Sequence, residues 1–104
     1  MAATPEKKVK TAVSRLLVEM GVYFFFPPAN GMGRSGIPDI ICCVKGRFLA
    51  IECKAGKGTT TALQDRELAA IRAAEGVAVV VNESNIDEVR FWVSVLMTQA
   101  EIGA

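Results

Sequence analysis

Residues 36–56, GIPDIICCVKGRFLAIECKAG, restrict the fold of this 104-residue chain more than any other segment. Two apolar runs rich in β-branched residues flank Lys45-Gly46, where glycine suits the positive φ of a two-residue hairpin turn. With that turn Val44 pairs with Arg47, Cys43 with Phe48, Ile41 with Ala50 and Asp39 with Glu52. A four-residue loop keeps this register, and a three-residue loop shifts it by one. Side chains alternate across a strand with a period of two, so Asp39, Glu52 and Lys54 share one face. Cross-strand neighbours have Cβ atoms roughly 5 Å apart. Two carboxylates at that separation repel by roughly 3 kcal/mol at an effective dielectric near 20. A domain with only about 5–15 kcal/mol of stability must offset that cost. Lys54 or a retained proton neutralises the pair in one reading. A divalent cation does so in the other, since hard oxygen donors suit Mg²⁺.

The flanking segments supply the remaining layers. Thr4 suits an N-cap, Pro5 the first helical position and Gly21 the C-terminal stop of a helix from about Thr4 to Met20. Val9, Ala12, Val13, Leu16, Leu17 and Met20 form its apolar stripe. Glu6, three residues before Val9, extends that stripe toward the sheet; its alternative role is an acid in the first helical turn. VYFFF reads as a buried strand ended by Pro27 and Pro28, and ANGMGRSG as a glycine-rich loop. Strands follow at about Pro38–Val44 and Arg47–Lys54. A helix from about Ala62 to Glu75 is capped by Thr61 and stopped by Gly76. VAVVVN is a further buried strand. The last helix, in SNIDEVRFWVSVLM, is capped by Ser84 with Ile86, Val89, Val93 and Leu96 on one face. The order αβββαβα predicts one α/β domain over residues 1–104, with a central mixed sheet flanked by helices.

Composition narrows the chemistry. The chain has no histidine, which excludes Ser-His and Cys-His catalysis and histidine metal sites. Cys42, Cys43 and Cys53 fit neither a zinc site nor a disulfide framework, and read as small buried hydrophobes in a reducing cytoplasm. No apolar run approaches the roughly 18 residues of a membrane span, and MAATPEKKVK lacks a signal core. A cytoplasmic protein is expected. Apolar residues make up 51% of the chain and mean hydropathy is +0.32, so some apolar surface is expected to be shared with a second copy. Residues 1–60 carry a net charge of +5 and residues 61–104 of −4, and a basic half is one mark of a polyanion partner.

Pro38-Asp39 followed by Glu52-Cys53-Lys54 resembles the PD-(D/E)xK nuclease motif. With helical Glu6 upstream and Gln64 in TTALQDREL downstream, the pattern is similar to the VRR-NUC family of that superfamily. The resemblance spans about Glu6 to Asn82 and looks most like the stand-alone phage or prophage members, which resemble Holliday junction resolvases. It implies a restriction-endonuclease-like core and a phosphodiester hydrolase dependent on Mg²⁺ or Mn²⁺, in a bacterial or phage-infected cytoplasm. By the same resemblance Asp39, Glu52 and the Cys53 backbone carbonyl would hold the ion, with Glu6 ligating directly or through water. Lys54 would orient the attacking water, with Gln64 beside it. Thr61-x-x-Gln64 is also a capping box, so two roles stand for Gln64.

DNA affinity comes chiefly from phosphate contacts, and Lys7, Lys8, Lys10, Arg34, Ser35 and Lys57 are the candidates. No base-reading module is evident, which favours recognition of DNA shape. The resemblance to Holliday junction resolvases implies four-way junctions as the substrate and a two-fold homodimer that cuts two symmetric strands. The last helix, apolar on several sides at Phe91, Trp92, Val95, Leu96 and Met97, is a candidate surface. A restriction-type or flap nuclease of the same superfamily, or a non-catalytic DNA-binding module, are the alternatives.

Overall fold

A computed structural model describes residues 3–28 and 34–103, with side chains to residue 100. Most of the glycine-rich stretch ANGMGRSG, residues 29–33, lies outside the described residues. The elements are α1 (Pro5–Glu19), β1 (Tyr23–Phe25), β2 (Ile40–Val44), β3 (Arg47–Cys53), α2 (Ala62–Ala73), β4 (Val77–Val81) and α3 (Asp87–Gly103). The strands form one sheet in the order β1-β2-β3-β4. β1, β2 and β3 pair antiparallel and β4 joins β3 in parallel, giving the expected mixed sheet.

The hairpin has the register read from its turn. Val44 pairs with Arg47, Cys43 with Phe48 and Ile41 with Ala50. Lys45 and Gly46 have φ of 52° and 83°, the doubly positive combination whose twist matches two antiparallel strands. The sheet then separates two layers. Cys42, Leu49, Ile51, Cys53, Val79 and Val81 pack with α1 and α3 on one face, in a continuous buried cluster. Ala50, Ala78 and Leu68 form a smaller cluster under α2 on the other.

Helix ends follow local chemistry. The Thr4 hydroxyl accepts the Lys7 N–H at 3.2 Å. α1 closes with Gly21 N–H on the Val18 carbonyl and Val22 N–H on that of Leu17. Gly21 takes φ 71°, the left-handed residue such a closure needs. α2 closes in the same way, but the left-handed residue is Glu75, at φ 69°. Gly76 is required for space instead, since a Cβ there would lie 2.9 Å from the Ile71 side chain.

Four expectations are corrected. β1 is a three-residue edge strand, not a buried one: Tyr23 is 69% exposed and Phe25 46%, because α2 lies over the β3–β4 half of that face. β2 begins at Ile40, not Pro38; proline has no N–H to donate, and the Asp39 side chain takes over the ladder position. α3 begins at Asp87 and Ser84 does not cap it. The side chains of Asn82 and Asn85 fold residues 82–85 into a turn first, Asn82 Oδ1 accepting Ser84 N–H at 2.8 Å and Asn85 Oδ1 accepting Asn82 N–H at 2.6 Å. Among the cysteines, Cys42 and Cys53 are buried but Cys43 is exposed, on the sheet face that α2 leaves open. Burial pushes both buried thiols up to about 12, which leaves them unreactive.

Candidate active site

Asp39, Glu52 and Lys54 meet where β2 and β3 end. Asp39 stands one residue before Ile40, which pairs with Ile51, so the register sets Asp39 against Glu52. Its Oδ2 accepts the Cys53 N–H at 2.8 Å and closes the ladder with a side chain. Glu52 faces the α2 side and is 1% exposed. Its Oε2 lies 3.4 Å from Lys54 Nζ, on a side chain only 12% exposed. Glu6 arrives from the first turn of α1, a helix of the opposite layer, and is exposed at the mouth of the site. Oxygens of Glu6, Asp39 and Glu52 all lie within 4.8 Å of one another.

Gln64 fills both roles left open by the sequence. Its Oε1 accepts the Thr61 N–H at 2.9 Å, completing the capping box, while its Nε2 donates to Glu52 Oε2 at 3.0 Å. The capped first turn of α2 thus presents one amide that orients the buried carboxylate. Gly36, three residues before Asp39, packs on that same turn. A Cβ there would lie 2.5 Å from the Leu63 carbonyl oxygen, and its φ is 84°. Only glycine allows both the left-handed backbone and this approach.

The electrostatics are those of an acid held against its preference. Burial first, then the Asp39 charge, push Glu52 up to about 7; Lys54 opposes this without cancelling it. Without a cation, Glu52 therefore holds its proton well above the usual carboxylate range. The donor set fits a hard divalent cation: three carboxylates, no soft or imidazole ligand in the group, and charge repulsion that a cation relieves. The Cys53 thiol points into the α1–α3 layer, so only its backbone faces the site, as the alternation of β3 requires.

The phosphate-contact candidates divide. Lys7, Lys8, Ser35 and Lys57 are exposed. Lys10 is half-buried with its Nζ 4.5 Å over the Phe26 ring, which draws it toward the β1 edge. Arg34 Nε lies 2.6 Å from Glu67 Oε1. Sequence reasoning missed Glu67, a buried acid on α2. The spacing Gln64-Glu67-Leu68-Ile71 would have found it, since residues three, four and seven apart share a helix face. On α3, Leu96 belongs to the core, and Trp92 and Met97 pack against it. Phe91 remains 58% exposed.

The family pattern of the archaeal Holliday junction resolvase (Hjc) matches residues 7–103. The chain belongs to this family. The match covers Asp39, Glu52, Lys54 and Gln64 and begins one residue after Glu6, which is joined to the group by geometry instead. A solved structure described as a VRR_NUC domain protein is similar in fold, with a TM-score of 0.65 and 24% sequence identity over 91% of this chain and 87% of that one. No curated protein matches the chain. Family and fold support a nuclease of the resolvase type. No helix among the described residues is long and apolar enough to cross a membrane.

Proposed function

We propose that the protein is an endodeoxyribonuclease that requires Mg²⁺ or Mn²⁺ and cuts branched DNA, four-way junctions foremost, as a two-fold homodimer. The observation that carries this reading is the convergence of Glu6, Asp39 and Glu52 within 4.8 Å, with Lys54 and Gln64 both on Glu52. Asp39, Glu52 and the Cys53 carbonyl would hold the ion, with Glu6 completing the set from the solvent side. A divalent ion bound there supplies a more nucleophilic water and neutralises charge developing on the scissile phosphate.

The chain's own groups do the rest. Asp39 is fixed by the Cys53 N–H and Glu52 by the Gln64 amide, so both carboxylates are preorganised before substrate arrives. Lys54, with its ammonium 3.4 Å from Glu52, would orient the attacking water and stabilise charge on a phosphate oxygen. Lys7, Lys8 and Lys57 are exposed around the same sheet end and would hold flanking phosphates. Paired nicks require two sites in one particle. The side chains of Tyr23 and Phe25, exposed on the half of the sheet face that α2 leaves open, and Phe91, exposed on α3, support a dimer contact better than Leu96, Trp92 and Met97, which pack in or against the core.

A labelled four-way junction incubated with Mg²⁺ or Mn²⁺ tests the proposal. Symmetric paired nicks are expected, abolished by chelator and by Asp39→Ala or Glu52→Ala. Cutting of plain duplex at one short sequence would make the protein a restriction-type enzyme. Flap cutting without junction cutting would remove the resolvase assignment and leave the chemistry. Binding without cleavage in either metal would make it a DNA-binding module.

A further inference from the structure

The mechanism above leaves one buried acid without a task. Glu67 is 7% exposed and lies on the wall of a cavity of about 360 Å³ whose other lining includes Phe48, Ala70, Ile71 and Gly76. A carboxylate in such apolar surroundings loses much of its hydration, and an apolar side chain in its place is often neutral or stabilising. Packing alone therefore does not call for an acid here. Glu67 Oε1 meets Arg34 Nε at 2.6 Å, while the Arg34 side chain is 75% exposed. The buried acid thus holds the root of the guanidinium, whose outer edge faces water.

The location gives this a use. Gly36, two residues after Arg34, rests on the Leu63–Gln64 backbone, and Gln64 binds Glu52. Glu67 is one helical turn beyond Gln64, about 5 Å along the axis. Arg34 is therefore fixed about a turn of helix away from the acidic group. Guanidinium binds phosphate through two parallel N–H groups, and more of that geometry is retained when the side chain is held in place.

We propose that Glu67 is a positioning residue that fixes Arg34 as a fork for the DNA phosphate next to the one being cut. This rests on the DNA-cleaving reading. The test compares wild type with Arg34→Ala, Glu67→Gln, Glu67→Leu and the Arg34→Ala/Glu67→Gln double variant. Dissociation constants for a four-way junction are measured in Ca²⁺ at several salt concentrations, cleavage at saturating DNA in Mg²⁺, and melting temperature throughout.

Each single variant should weaken binding about 5–10-fold, which is close to the loss of one well-formed phosphate contact. The rate at saturating DNA should change less than about twofold. The double variant should bind no worse than Arg34→Ala, because the two residues act as one unit. Arg34→Ala should lower the salt dependence by about one phosphate, and Glu67→Leu should melt no lower than wild type. Wild-type affinity in both Glu67 variants, or losses that add in the double variant, would overturn the proposal. So would a fall in melting temperature and rate with unchanged binding, which is the mark of a purely structural pair. Wild-type binding without cleavage would overturn the nuclease reading alone, and the binding comparison would still decide the fork. No DNA binding at all would overturn both.

Discussion

The two faces of β3 differ sharply in burial and charge. Toward α1 and α3 it sends Leu49, Ile51 and Cys53, all fully buried in a continuous apolar cluster. Toward α2 it sends Phe48, half open to solvent, then Ala50, then Glu52 beside Lys54. Adjacent residues on one strand thus serve opposite ends. The closed face provides the burial that makes the fold stable, at about 25 cal/mol per Å² of apolar area. The open face carries charges that oppose stability and aromatics that remain exposed. A sheet with one face fully committed to packing can tolerate strain on the other, and site strain of this kind is where function is expected.

Substitutions at consecutive positions sharpen the contrast. Ile51→Ala should destabilise by about 2–5 kcal/mol in a denaturant titration, by the lost transfer energy and the cavity left behind. Glu52→Gln, one residue on, should leave the fold as stable or more so in chelator at pH 8, and should abolish cleavage. Equal destabilisation by the two would erase the difference between the faces.

Gly36→Ala should be next, at about 1–3 kcal/mol, from a left-handed backbone combined with the approach to Leu63. It should also lower the cleavage rate, because the loop leading to Asp39 must shift off α2. Unchanged melting and rate would show that this contact does not position the site.

The pH dependence of stability should come third. Glu52 is pushed from 4.5 up to about 7 by burial and by Asp39, so the folded protein holds a proton that the unfolded chain releases earlier. Stability in chelator should fall as pH rises from about 4.5 to 7 and level off above. The size should be about 2 kcal/mol, allowing for solvent screening at the open sheet end. Glu52→Gln should lose this slope. A wild-type profile that matches the variant's would contradict it. The smallest effect should be Tyr23→Ser, under about 0.5 kcal/mol on monomer stability for so exposed a side chain, but with measurable loss of dimer in sedimentation.

The sequence was most legible where local rules had no competitor. The Lys45-Gly46 turn determined the hairpin register, and the period of two then placed Asp39 against Glu52 and turned Cys53 away. Thr4-Pro5 and Thr61-x-x-Gln64 marked helix starts correctly because capping is a contact within one turn. Ser84 misled because Asn82 and Asn85 compete for the same backbone groups and delay the helix. VYFFF misled because apolar content cannot report whether a neighbouring layer exists; β1 lies at the edge, beyond the reach of α2. Glu67 was legible as a residue on the inward face of α2 with Gln64, Leu68 and Ile71, but its pairing was not, because Arg34 is 33 residues away. Glu6 stood on a helix of the other layer, and its arrival at the site depends on how α1 lies over the sheet end.

Melting temperature against Mn²⁺ concentration, at pH 8 in wild type and Asp39→Ala, most directly tests whether the acidic group binds a divalent ion. Wild type should gain about 2.7 kcal/mol of stability when the ion reaches a hundred times its dissociation constant, and Asp39→Ala should gain little. A flat wild-type curve, or the same rise in both proteins, would show that Glu6, Asp39 and Glu52 do not form a cation site.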